Sequence, residues 1–167
     1  MRRVAQLFSS LDPSPFHDRD LDDEAEEFIV DWARELPRDR PIRIIVHLPA
    51  GEATIAEETD LAGAMKHYFA GRVVKFERDI RELFRIGRRH LGVGVLVLVA
   101  CLAASQLIAS IVTIEPFASI ISESLIIVGW VANWKPIEIF LYEWWPIRRK
   151  ISLYERLRDA EVVVRPL

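Results

Sequence analysis

Two long apolar runs dominate the hydrophobic pattern of the chain. The first, Leu91–Thr113, carries no charged residue. As a helix rising 1.5 Å per residue it extends about 34 Å, enough to cross a hydrocarbon core of roughly 30 Å. A soluble core helix of that length needs a polar face, and here only Cys101, Ser105 and Gln106 break the middle of the run. The second run, Ala118–Trp134, continues as KPIEIFLYEWW to Trp145 and is interrupted by Glu123, Lys135 and Glu138. The connection IEPF at 114–117 is too short for a domain. The pattern therefore predicts an antiparallel hairpin over 91–145, with spans at about 91–113 and 118–143.

Outside the runs the periodicity changes. Over 22–36, Ala25, Phe28, Ile29, Trp32 and Leu36 recur at helical spacing, with Glu24, Glu27, Asp31 and Glu35 on the opposite side. Asp20 or Asp22 is the expected N-cap. Residues 42–48 alternate as a strand, Ile42, Ile44, Val46 and Leu48 one way and Arg43, Ile45 and His47 the other. A second strand is expected at 161–165. The two should share a small sheet covered by the Phe28/Trp32 face, with residues 2–8 as a candidate third strand. Residues 56–90 read as one long helix entering the first span, its stalk at 61–90 carrying a seam of Ala62, Met65, Phe69, Val73, Phe76, Ile80 and Leu83. A helix at about 147–159 shows Ile151, Tyr154 and Leu157 at similar spacing. It can pack along the stalk, or the seam can pair between protomers; packing wholly within one chain would weaken an assembly reading. The expected fold class is a membrane α-helical hairpin of two transmembrane helices, with a helical stalk and a small α/β cytoplasmic domain.

Charge orients this arrangement. The net charge of −3 is uneven: residues 1–60 hold 7 basic and 15 acidic side chains, residues 61–90 hold 8 and 3, and residues 148–167 hold 6 and 3. Arg85, Arg88 and Arg89 precede the first span, Arg148, Arg149 and Lys150 follow the second, and the connecting loop has neither Lys nor Arg. By the positive-inside rule both termini are cytoplasmic. Those six cations are candidate contacts for anionic lipid headgroups. No apolar stretch suited to a cleavable signal follows MRR. The 18 Arg against 4 Lys point to a GC-rich bacterial genome and hence a bacterial inner membrane. The acidic distal domain argues against nucleic-acid binding.

Candidate chemistry is sparse. Cys101 is the one cysteine, and the four histidines have no ligand spacing. Asp18, Asp20 and Asp22 open like a calcium loop, but Asp23 and Ile29 stand where glycine and glutamate are required. No phosphate-loop, dinucleotide, zinc-protease or serine-hydrolase motif occurs, so no enzyme activity, cofactor or metal is expected. The candidate intramembrane polar group is Lys135, Glu138, Gln106 and Glu123. Lys135 and Glu138 are three apart and can pair on one helix face. A hairpin symmetric about Pro116 places Lys135 level with about Leu98, inside the bilayer, where a charge costs about 2.5–3.5 kcal/mol. Three readings stand. Residues 134–145 form an interfacial helix with Trp134, Trp144 and Trp145 as belt anchors; the polar group meets a partner helix; or it serves an ion path in an oligomer. Pro136 should kink or break the helix. Gly92, Gly94 and Gly129 permit close helix approach, without a GxxxG pair.

The strings LFSSLDPSPFHDRDLDDEAEEFIVDWA, RIIVHLP and GWVANWKPIEIFLYEWWPIRRK together resemble a group of uncharacterised bacterial membrane proteins with two spans. The resemblance covers most of the chain and implies the topology, but no activity or site residue. The expected role is a non-enzymatic interaction one: anchor, assembly factor or accessory subunit with a protein partner or a second copy. The alternative is a subunit of a small homo-oligomeric channel or transporter.

Overall fold

The computed structural model describes residues 3–9, 12–16, 19–111 and 115–166, without the side chains of Glu58 and Glu115. Of the features named above, His17, Asp18, Thr113, Ile114 and the first residue of the 2–8 segment lie outside the described residues. The chain divides into two compact units, one of Met1–Glu77 with Arg148–Leu167, the other of Arg78–Ile147.

In the first unit, helix α1 (Asp23–Glu35) starts where the Asp22 carboxylate accepts the Glu24 N–H at 3.1 Å, with three acids in its first turn. It stops before Pro37, which disfavours helix in the residue ahead of it. Its buried residues are Glu26, Val30 and Ala33. The expected packing face is turned outward: Phe28 is 65 % and Trp32 61 % exposed, and Leu36 is exposed as well. The cause is Glu26. Its carboxylate accepts from Tyr68 Oη at 2.6 Å, Arg72 Nε at 2.9 Å and Tyr154 Oη at 2.5 Å, so α1 is held by its acidic residue and the aromatic stripe is left outside.

Strand β1 (Arg43–Leu48) pairs in parallel with β2 (Glu161–Pro166), Ile44 opposite Val162 and Val46 opposite Val164. The expected alternation holds, with Val46 and Leu48 buried and Arg43, Ile45 and His47 exposed. An exposed Arg43–Glu161 ion pair at 2.6 Å marks the first rung. The described residues of the 2–8 segment, 3–8, do not supply a third strand. Val4–Leu7 is a 3-10 turn that buries Val4 and Leu7, and Phe8 makes only an isolated bridge to Leu21. Two residues three apart eclipse in that geometry, so both reach the core.

The helix expected over 56–90 is two helices. α2 (Ala50–Glu58) packs against β2 and the N-terminal turn, and α3 (Leu61–Ile111) follows. Between them Asp60 takes a left-handed φ of 49°, and its Oδ1 accepts the Gly63 N–H at 3.0 Å. Asp tolerates that conformation and caps well, which stops α2 and starts α3. Along α3 the seam residues Met65, Phe69 and Val73 are buried, whereas Ala62 is exposed and Leu61 and Ala64 replace it. Helix α6 (Trp144–Arg158) buries Ile151, Tyr154 and Leu157, and the Tyr154 ring meets the edges of Phe69 and Phe76 at 6.1 and 5.1 Å. This part of the seam is therefore filled within the chain.

In the second unit α3 runs unbroken through Gly87 and Gly92. α4 (Glu115–Val131) ends in a turn at Ala132–Asn133, followed by α5 (Trp134–Glu138), a π-helical stretch Ile139–Glu143 and the start of α6. The break precedes Pro136, which sits in the first turn of α5, where a missing N–H costs no helix hydrogen bond.

Burial pushes the Glu26 carboxyl up, but Tyr154, Tyr68 and Arg72 outweigh it and hold the group below its ordinary value of 4.5. Burial and the Glu26 carboxylate push Tyr154 up to about 12. A depressed carboxyl stabilises above its unfolded pKa and loses that contribution as pH falls through the folded value; a raised phenol stabilises below its unfolded pKa and loses it as pH rises. The stability of the first unit should thus fall on the acid side of pH 4.5 and between pH 10 and about 12. Thermal unfolding across pH should show the acid limb flattened in Glu26→Gln, and Tyr154→Phe should cost about 1–2 kcal/mol at neutral pH. An unchanged acid limb in Glu26→Gln would contradict this account.

Candidate functional site

Three features carry candidate function, two in the first unit and one in the second. In the second unit, close packing sets the register of the helices. A methyl group on Gly129 would lie 2.8 Å from Leu98 Cδ1 and 3.3 Å from Cys101 Cβ; on Gly94 it would lie 2.6 Å from Asn133 Oδ1 and 2.9 Å from the Ala132 carbonyl oxygen; on Gly87 it would lie 2.9 Å from Ile139 Cγ2. Gly92 meets nothing within 4 Å, so of the three glycines named from sequence only Gly94 and Gly129 are contact points, and Gly87 joins them. Buried Asn133 donates from Nδ2 to the carbonyls of Gly94 and Gly129, both at 3.0 Å, closing the turn and stitching the two helices. Ser122 Oγ reaches the Ser105 carbonyl at 3.3 Å. Phe84 stacks on Phe140 at 5.8 Å.

These contacts run four residues forward on one helix for four back on the other. Leu98 faces Gly129 and Gly94 faces Asn133, so two residues further Lys135 lies level with about Gly92. The expected symmetry about Pro116, which put Lys135 beside Leu98, is therefore corrected by six residues, roughly 9 Å of helix. Lys135 sits at the start of the apolar run rather than within it. Its Nζ pairs with Glu138 at 3.3 Å, as the spacing predicts, and also with Glu143, which sequence reasoning missed. Glu143 is eight residues on, beyond the usual helical neighbours, and the π-helical stretch lies between them. Gln106 and Glu123 do not join this group. Both are exposed, and among the described residues neither side chain has a hydrogen bond or ion pair.

The headgroup candidates Arg85, Arg88, Arg89, Arg148, Arg149 and Lys150 are all exposed. Lys150 Nζ also lies 5.8 Å from the centroid of the Phe76 ring. Trp134 and Trp145 are exposed, while Trp144 donates from Nε1 to the Phe140 carbonyl at 3.0 Å.

In the first unit the Phe28 and Trp32 rings stand 6.0 Å apart on the outer face of α1, in line with Leu36 and flanked by exposed Glu24, Glu27, Asp31 and Glu35. A cleft of about 280 Å³ is lined by Arg19, Asp20, His67, Tyr68, Gly71, Arg72 and Lys75. Sequence reasoning passed over it, although His67, Gly71 and Lys75 fall on one stripe of α3 and Tyr68 and Arg72 on the next. No group of three His, Cys, Asp or Glu side chains that could hold a metal occurs among the described residues.

Comparison with protein-family models, curated proteins and solved structures finds no match to this chain.

The packing register is directly testable. With Cys101→Ser as background, the pair Ser105→Cys and Ser122→Cys should cross-link on oxidation, and the pair Ser110→Cys and Ser122→Cys should not. The reverse pattern would restore symmetry about Pro116.

Proposed function

We propose that this chain is a two-span bacterial inner-membrane protein, both termini cytoplasmic, whose soluble part serves a non-enzymatic interaction role as an anchor, assembly factor or accessory subunit. Two helices are long and apolar enough to cross a membrane, and the most apolar stretch of each is only 11 % and 17 % buried. A soluble core helix of that composition would be mostly covered, whereas lipid tails welcome exposed Leu96, Val99, Leu107, Ile120 and Ile127. The packing register favours the interfacial reading of Lys135, Glu138 and Glu143, with Trp134 and Trp145 beside them at headgroup level. The flanking arginines then meet anionic headgroups at about 1 kcal/mol per residue. Membership of the two-span bacterial group resembled by the sequence is part of this proposal.

The interaction role rests on the outward face of α1. Phe28, Trp32 and Leu36 form an exposed apolar stripe in a unit whose other aromatic side chains are buried or half-buried, and aromatic anchors of this kind dominate binding surfaces. The acids along its flank select a protein partner with an apolar centre and a Lys/Arg rim, and disfavour an anionic membrane surface. The Met65/Phe69/Val73 part of the stalk seam, filled within the chain, lends no weight to assembly.

Full-length tagged protein, extracted from its own membrane in mild detergent, should carry a stoichiometric second protein. Phe28→Ser with Trp32→Ser should release it at least tenfold while circular dichroism stays unchanged. A partner retained by that variant, or a lone monomer in the wild type, would count against the role.

The alternative, a subunit of a homo-oligomeric channel or transporter, is favoured by one observation: Glu123 is exposed on the apolar helix α4. A carboxylate at mid-membrane is costly unless a partner helix or water covers it. A discrete homo-oligomer giving ion flux in liposomes that Glu123→Ala abolishes would support this reading. Robust flux unchanged by Lys135→Ala and Glu138→Ala would exclude those two from the path.

A further inference from the structure

The cleft on the first unit gathers positive charge. That unit as a whole carries 19 acidic against 16 basic side chains, whereas the cleft is lined by Arg19, Arg72, Lys75 and His67 against one acid, Asp20. Its floor on α3 is Gly71, where an added methyl would meet nothing within 4 Å, so there is room for a ligand between the flanking side chains. On one side, Arg72 is fixed in place by Glu26, with Nε at 2.9 Å and Nη2 at 2.8 Å from the same Oε1. That uses two of the five guanidinium donors, and Tyr154 engages the group as well, which leaves the remaining donors for a ligand. The loop carrying Arg19 and Asp20 also lines the cleft. This loop is shaped by Asp12, whose carboxylate accepts the Ser14 N–H at 2.9 Å and the Asp20 N–H at 2.8 Å. Among the described residues Asp12 and Asp20 are acids near Arg19, and Arg19 Nε is buried without an acceptor. A buried donor left unpaired costs about 1–3 kcal/mol, so the Arg19 guanidinium is held in place without a protein acceptor for that group among the described residues.

The geometry points to a binding site for a phosphate-bearing anion, held between Arg19, Lys75 and the unused donors of Arg72, with His67 and the Tyr68 ring as walls. Arginine forks and a lysine ammonium converging on one opening suit the oxygens of a phosphate group. Asp20 at the rim sets an upper limit on the charge the cleft accepts, which favours a single phosphate over a polyphosphate chain. Such a group is available in two forms, a soluble phosphate compound or the headgroup of an anionic phospholipid. The site is distinct from the α1 stripe, so loss of one leaves the other intact.

The full chain in neutral detergent can be titrated with inorganic phosphate by calorimetry and, separately, exposed to phosphatidylglycerol in otherwise zwitterionic nanodiscs, with bound lipid counted by native mass spectrometry. Arg19→Gln and Lys75→Gln change exposed or half-buried side chains and leave Glu26, Tyr68 and Arg72 untouched. Phosphate binding that falls roughly tenfold or more in each variant identifies a soluble phosphate ligand. No phosphate binding, but retained phosphatidylglycerol lost in both variants, identifies a headgroup ligand. Binding of either probe that both variants leave unchanged, or that is lost only in Arg85→Gln with Arg88→Gln and Arg89→Gln, overturns the proposal, as does the absence of binding by both probes. Circular dichroism confirms that each variant is folded.

Discussion

The buried carboxylate of Glu26 is the interaction on which the first unit depends. It lies 42 residues from Tyr68, 46 from Arg72 and 128 from Tyr154, yet accepts from all three. One side chain thereby joins α1, α3 and α6. A buried carboxylate is tolerable only because its lone pairs are filled and a guanidinium offsets its charge. Its position along α1 also decides which face turns inward. With Glu26, Val30 and Ala33 inside, the Phe28/Trp32/Leu36 stripe must point out, and the acids occupy the third side. The partner surface proposed for this protein is thus a consequence of a polar anchor, not of a missing hydrophobic neighbour.

The second unit uses a different device. In the proposed membrane setting, two apolar helices gain little from burying apolar surface against each other, and shape and hydrogen bonds set their register. Gly87, Gly94 and Gly129 let the backbones approach, and Asn133 uses the carbonyls freed by the turn at 132–133. The same register carries Lys135, Glu138 and Glu143 to the edge of the apolar run, where Lys135 pairs with both acids, as the proposed interfacial position requires. Glu123 and Gln106 remain among exposed apolar side chains, which is what leaves an oligomeric alternative standing.

Much was legible in the residues. The apolar runs, the cap at Asp22, the alternation of 43–48, the C-terminal strand and the Ile151/Tyr154/Leu157 stripe all follow from local periodicity and short-range chemistry, which a sequence displays. The candidate site was legible only in part. Lys135 and Glu138 pair because three residues separate them on a helix, but Glu143 enters across a π-helical stretch that no spacing rule anticipates. The break between α2 and α3 was missed because Asp60 in a left-handed conformation looks in sequence like any helical aspartate.

What the sequence determined by itself is the division into apolar hairpin and charged remainder, the types of most elements and the uneven placement of charge, because each is a property of neighbours along the chain. Only the tertiary structure decided which side of α1 faces the core, that the strands run parallel, that the Met65/Phe69/Val73 part of the stalk seam is filled from within, and that Arg19 approaches a cationic stripe on α3. Those outcomes depend on pairs far apart in sequence, Glu26 with Tyr154 or Gly94 with Asn133, whose energies outweigh the local hydrophobic pattern and leave no trace in it.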